Sequence, residues 1–350
     1  MKIFYGVQGT GNGHISRARA LAPKFKEAGA QVTWLFSGRP RDAFFEMEAF
    51  GDYLWRPGLT FETRQGQVHY VQTGLRNNLP RYIDDIRTLP LDDSDLVITD
   101  FEPVTAWAAK MRGIQTIGIG NQYAFGLDIP KAGHDFMGAL ILKHFAPATI
   151  PLGLHWHHFD QPILPPIVET HTANVSPKAN KIIVYLPFED IGAIIRLLRP
   201  FRSHEFHVYN PSGTSAISGR ADHIVVKPLS RLEFQKDFAD CEGVICNAGF
   251  GLPSEALHHG KKLLIKPLHR QIEQLSNALA LCQLKLGEVM HELDSTVVAY
   301  WLATERACQI RYPDVADAIV TRLMQGGDTR EQTWIQSVWE RTQSEWGLSR

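Results

Sequence analysis

Residues 1–36 constrain this chain more than any other stretch. Lys2 to Val7 is a short apolar run, and Gly9-Thr10-Gly11-Asn12-Gly13-His14 is a glycine-rich turn. Ile15 to Ala28 carries apolar residues at helical spacing until Gly29, and Gln31 to Phe36 is a second apolar run. Strand, glycine turn, helix and strand in this order make a βαβ unit, whose two strands lie parallel in one sheet. Pro23 falls inside the helical stretch and is expected to kink or split it.

The alternation continues. Leu96 to Thr99 reads as a strand ending at Asp100, Pro103 to Arg112 as a helix, and Thr116 to Gly120 as a strand. Between them, a hairpin is expected around Thr60 to Val71 and a short helix around Arg81 to Thr88. Gln161-Pro162-Ile163-Leu164-Pro165-Pro166 holds prolines that cannot continue a helix or a central strand, so a hinge is expected there. After Asn180 the α/β pattern restarts. The expected fold is α/β, with two Rossmann-like domains facing across a cleft. The first covers residues 1–161, a linker 162–180, and the second 181–330. A C-terminal helix over 331–350, carrying Trp334, Val338, Trp339 and Trp346, is expected to pack back on the first domain. Ligands of open parallel sheets bind beyond the carboxyl ends of the strands.

Composition bounds the partners. In 350 residues, 44% are apolar, enough for two α/β cores. Basic and acidic residues number 36 and 37, with no basic stripe, so no nucleic-acid partner is expected. Cys241, Cys246, Cys282 and Cys308 show no paired spacing and read as free thiols of a reducing cytoplasm. The N-terminus runs straight into a strand, so no signal peptide is expected, and no apolar run reaches the ~18 residues of a membrane span. Residues 136–154 are largely apolar, with Lys131, His134, Lys143 and His144 beside or among them. They read either as core or as a peripheral contact at the inner membrane face.

The N-terminal glycine turn has two readings. A dinucleotide site wants Gly or Ala where His14 stands, and an acid where Ser37-Gly38-Arg39 stands. An NADP-type arginine keeps that reading open, but it ranks last. In the other reading, the backbone at Gly11 and Gly13 approaches a ligand closely and His14 acts as general base. The plainer alternative is that His14 only caps the helix. Ser16 and Arg17 are weaker candidates for anion contact. At the end of the Leu96 strand, Asp100 suits orienting His14 or touching an acceptor, and Glu102 is a second candidate base. Against Glu102 stands an ordinary N-cap before Pro103. Asn121-Gln122-Tyr123 adds a polar rim at the next strand end.

In the second half, Asn247-Ala248-Gly249-Phe250-Gly251 is a glycine-rich turn opening a helix, with Glu255 about one turn in. The apolar strand Lys262 to Pro267 follows, then Glu273-Gln274-Leu275-Ser276-Asn277-Ala278. Backbone N–H groups at a helix start hold phosphate, and this order suits a nucleotide-sugar site. His155-Trp156-His157-His158 with Asp160 has no second ligand group at metal spacing, so no metal is expected.

Set side by side, these segments resemble the GT-B glycosyltransferases. The chain is similar to the N-acetylglucosaminyltransferase that completes the lipid-linked peptidoglycan precursor, and to poorly characterised bacterial and archaeal relatives. The resemblance runs from Lys2 to about Gly287, carried by Gly9–His14 and Asn247–Asn277. It implies that Ala248, Gly249, Phe250 and Gly251 hold the donor diphosphate and that Glu255 accepts from the ribose hydroxyls. It implies that Glu273 and Gln274 contact sugar hydroxyls and that Asn277 is the family's helix amide. Asn247 stands where a serine or histidine is common. The implied activity is transfer from a nucleotide sugar, UDP-linked by expectation, to an acceptor hydroxyl, inverting and without a metal or other cofactor. The acceptor is lipid-linked or a saccharide. A UDP-sugar 2-epimerase of the same fold and a non-catalytic nucleotide-sugar-binding protein are the alternatives.

Overall fold

The structure is a computed structural model. It describes all residues except 61–62, 65–66, 69–76, 133–135, 170–177, 212–220, 305–306 and 345–350. Two parallel sheets organise it. In the first, β1 (Lys2–Gln8), β2 (Gln31–Ser37), β3 (Leu54–Trp55), β4 (Leu96–Asp100), β5 (Thr116–Gly120), β6 (Ile150–Leu154) and β7 (Ile163–Leu164) lie in the order β3-β2-β1-β4-β5-β6-β7. In the second, β8 (Lys181–Tyr185), β9 (Glu205–Tyr209), β10 (Ile224–Lys227), β11 (Gly243–Asn247), β12 (Lys262–Lys266) and β13 (Glu288–Val289) lie in the order β10-β9-β8-β11-β12-β13. The inner strands are buried on both faces, which is why they read as unbroken apolar runs rather than alternating ones.

Each sheet changes direction beside its first strand. After β1 the chain builds β2 and β3 on one side, then crosses to β4 on the other; β8 and β11 repeat this. Loops leaving the carboxyl ends of such neighbours diverge and leave a crevice.

Several expectations change in detail. Helix α1 runs unbroken over Asn12–Glu27 with Pro23 inside it. Leu21, Ala22 and Phe25 are buried around that point, so packing holds the turn that proline weakens. The expected hinge is partly strand: Ile163 and Leu164 are fully buried and extend the first sheet, with Gly153 opposite Ile163. Prolines are tolerated there because β7 is an edge strand. Of the expected hairpin, the described residues show Thr63–Arg64 pairing with Gln67–Val68, and the short helix spans Leu79–Arg87. Within the apolar stretch 136–154, Ile150–Leu154 is an inner strand and Phe145 and Ala146 are buried. Only the helix Phe136–His144 is left for a peripheral contact. The C-terminal helix Gln332–Trp339 lies on the first domain, where Trp339 Nε1 donates to the Ile163 carbonyl at 2.7 Å. Trp346 and His134 lie outside the described residues. Among the described residues, no helix is long and apolar enough to cross a membrane.

Candidate active site

The crevice of the first sheet brings together residues far apart in the chain. Val7 of β1 pairs with Asp100 of β4, so the loop into α1 passes beside the Asp100 carboxylate. His14, in the first turn of α1, places Nδ1 2.6 Å from Asp100 Oδ1. Arg17, one turn on, donates Nε–H to Asp100 Oδ2 at 2.7 Å and Nη2–H to Oδ1. Asp100 is sealed from solvent, whereas the His14 side chain keeps 13% exposure, so only the imidazole reaches the cleft. Burial alone would push the Asp100 carboxyl up. The Arg17 guanidinium and His14 outweigh it and hold the group below the ordinary carboxylate range. An ionised carboxylate only accepts, so the contact with Asp100 calls for a hydrogen on His14 Nδ1; Arg17 Nη2 also lies 3.0 Å from that nitrogen.

The second acid departs from its candidate role as base. Glu102 caps the helix Pro103–Met111, accepting from Val104 N–H at 2.9 Å and Thr105 N–H at 2.7 Å. Ser37 Oγ–H donates to it at 2.6 Å. The side chain is fully buried and raised above its ordinary value by burial, which these hydrogen bonds only partly offset. Phe101, between the two acids, sits at φ 53°, a conformation rare for an aromatic residue. One acid joins the His14 cluster and the next turns into a cap.

Across the cleft, β11 ends at Asn247. The turn Ala248-Gly249-Phe250 leads into the helix Gly251–His258, which has no side-chain cap; neither has α1. The two helix starts touch: a Cβ on Gly251 would lie 3.3 Å from the Gly13 Cα. Free N–H groups and two positive dipole ends therefore converge on one place. The second-domain amides brace this turn. Asn247 Nδ2 donates to the Lys266 carbonyl at 2.9 Å, and Asn277 Nδ2 to the Ala248 carbonyl at 3.0 Å. Gln274 Oε1 accepts from Leu268 N–H at 3.0 Å. Asn277 is fully buried, so it supports the loop from behind rather than facing the cleft.

Glu273 does face the first domain, accepting from Gln122 Nε2 at 3.0 Å. Burial raises its carboxyl, partly offset by His14, Gln122 and Arg17. Glu255 is half-buried and makes no side-chain hydrogen bond among the described residues. Burial pushes it up to about 8; Glu169 adds to this and Arg231 opposes it. A cavity of about 560 Å³ lies beyond these residues, lined by Arg19, Pro23, Glu46, Glu169, Arg231 and Asp314. None of His14, Asp100 or the glycine turns lines it.

Trp156 was hidden by its histidine neighbours. It is fully buried, donates Nε1–H to Ser254 Oγ at 2.8 Å, and packs on Phe250 with ring centroids 5.0 Å apart. It pins the first domain to the helix that opens at Gly251. The histidines around it do not form a metal group, and among the described residues no set of three His, Cys, Asp or Glu is arranged to hold one. Arg17, weighed as an anion contact, is instead spent on Asp100.

Two parallel-sheet domains, with glycine-rich helix starts meeting across the cleft, make up the GT-B fold. A family model described as Glycosyl transferase family 1 matches residues 1–304, and the chain belongs to that family. No curated protein is similar to it by sequence at a significant level. Among solved structures it resembles the spinosyn rhamnosyltransferase SpnG complexed with spinosyn aglycone, with 13% identity, 97% of each chain covered and a TM-score of 0.57. The glycosyltransferase SnogD from Streptomyces nogalater shows 16% identity over 97% of this chain and 99% of that one, TM-score 0.54. Acinetobacter baumannii MurG shows 15% identity over 97% and 93%, TM-score 0.51. At such identities the likeness establishes the fold, and the enzyme class rests on the family.

Proposed function

We propose that this glycosyltransferase moves a sugar from a nucleoside diphosphate sugar to an acceptor hydroxyl, with inversion and without a metal. The observation that carries this reading is the 2.6 Å contact between His14 and Asp100, beside the touching helix starts of Gly13 and Gly251. His14 Nε2 takes the acceptor's proton, and the freed oxygen attacks the anomeric carbon from the face opposite the diphosphate. The bond from that carbon to the diphosphate oxygen breaks, and the electron pair leaves on the diphosphate. Backbone N–H groups at the two helix starts supply its positive surroundings. Ala248, Gly249, Phe250 and Gly251 hold the diphosphate, Glu255 receives the ribose hydroxyls, and Glu273 the sugar hydroxyls. Gln122 occupies Glu273 as a donated amide, much as a sugar hydroxyl would.

The donor nucleotide is proposed to be UDP. The similar structures include SpnG complexed with thymidine diphosphate and VinC in complex with dTDP, so dTDP is the first competitor. A thermal-shift panel of UDP, dTDP and GDP decides between them. A ligand at ~100 times its Kd adds about 2.7 kcal/mol of stability. With the nucleotide known, release of the nucleoside diphosphate from its sugars, with and without acceptors, reads turnover. His14→Ala is expected to keep nucleotide binding and lose about 10²- to 10⁴-fold in turnover. Wild-type turnover in that variant, or no binding of any nucleoside diphosphate, sinks the reading.

A further inference from the structure

One half-buried cation at the mouth of the cleft has no acidic partner among the described residues. Arg39 follows β2 directly after Gly38, and its Nε donates to the Gly9 carbonyl while Nη2 donates to Asn12 Oδ1 at 3.0 Å. The guanidinium lies 5.0 Å from the centre of the Phe44 ring. Among the described residues, no Asp or Glu lies within ion-pair distance of it, and burial pushes it down to about 10. Arg17 rests on Asp100, Arg56 on Asp85 and Arg231 on Glu169, whereas Arg19, among the described residues, donates only to the Phe45 and Glu46 carbonyls and lines the cavity rather than the glycine turn. Withdrawing a cation from water against neutral acceptors alone is unfavourable. A fold that holds it in a fixed pose at a cleft is matched to an anion that arrives from outside.

The pose points the same way. Gly9 and Asn12 belong to the glycine turn itself, so the guanidinium is tied to the start of α1. Asn12 Nδ2 reaches Tyr185 Oη, at the carboxyl end of β8, at 3.5 Å. Arg39, Asn12 and Tyr185 thus form a line from the first domain to the crevice of the second. That crevice is bounded on its other side by Asn247 to Gly251, the helix start without a cap.

We infer that Arg39 is a diphosphate-binding residue of the first domain, its guanidinium meeting the donor phosphates from the side opposite the Gly251 helix start. The inference rests on the glycosyl-transfer reading for the identity of the anion. There the charge would help retain the departing nucleoside diphosphate.

The test compares calorimetric affinities of wild type, Arg39→Gln and Arg39→Lys for nucleoside diphosphates, the matching nucleosides and inorganic pyrophosphate. Arg39→Gln is expected to weaken the nucleoside diphosphate and pyrophosphate about 10- to 100-fold and leave the nucleoside within about 2-fold. Arg39→Lys keeps the charge and is expected to recover most of the loss, which separates charge from damage to the glycine turn. Unchanged diphosphate affinity in Arg39→Gln overturns the assignment. So does an equal loss for nucleoside and diphosphate, or a loss that lysine does not relieve. If wild type binds no nucleoside diphosphate, the glycosyl-transfer reading fails, and pyrophosphate still decides Arg39: binding insensitive to Arg39→Gln, or absent, overturns the anion site as well.

Discussion

Replacing Glu255 with glutamine should stabilise the ligand-free protein at alkaline pH. The carboxyl stands at about 8 in the folded protein against an ordinary 4.5, because burial beside Glu169 outweighs the attraction of Arg231. Between these two values the native state keeps a proton that the unfolded chain has released. Stability therefore falls as pH rises through that window, and the penalty is complete above about pH 8. At about 1.4 kcal/mol per pH unit the ceiling is about 5 kcal/mol. Glu255 keeps some solvent contact, so roughly half of that, ~2 kcal/mol, is expected to appear. Glutamine stays neutral throughout. Urea unfolding of wild type and Glu255→Gln at pH 5, 7 and 8.5 should show near-equal stability at pH 5 and an advantage of ~2 kcal/mol for the variant at pH 8.5. A variant that is less stable at pH 8.5, or a difference that does not change with pH, refutes the reasoning. The wild-type carboxyl is then a cost in the empty site, offset in the proposed function by the ribose hydroxyls it receives.

Asp100→Asn keeps the side-chain size but can hold the imidazole in the wrong tautomer, and it leaves the buried Arg17 cation without its carboxylate, at a cost of about 3–5 kcal/mol in unfolding experiments. Turnover should drop by about 10²- to 10⁴-fold with nucleotide affinity nearly unchanged. Glu102→Gln is the contrasting variant: loss of a buried cap should cost about 1–2 kcal/mol in unfolding experiments, while the protein that stays folded keeps turnover within about 10-fold. Equal collapse of turnover in both variants contradicts the separation of dyad and cap. Trp156→Phe keeps the packing on Phe250 and loses the bond to Ser254. It should cost about 1–3 kcal/mol, and amides of the helix Gly251–His258 should exchange faster with solvent. Unchanged exchange in that helix refutes the pin between domains.

Much of the fold was legible because it is locally written. Apolar runs of strand length, helical spacing and glycine turns repeat along the chain, and a parallel sheet is the architecture they allow. The amides at Gln274 and Asn277 were placed on the right helix, yet their targets were not readable. Whether an amide faces a ligand or a carbonyl behind it depends on how the helix Ile272–Gln283 rotates against the Ala248 turn. Trp156 was lost in a histidine cluster because a short extended segment does not reveal what its side chains meet across a domain boundary.

The sequence by itself determined two α/β units and the glycine turns on which they open, since these follow from spacing within a few residues of chain. Only the tertiary structure decided that His14 meets Asp100 and that Glu102 becomes a cap. It alone set Arg17 on a carboxylate and, among the described residues, left Arg39 without one. Strand order and register bring distant side chains within hydrogen-bond reach, and a carboxylate two residues further on points into a different environment.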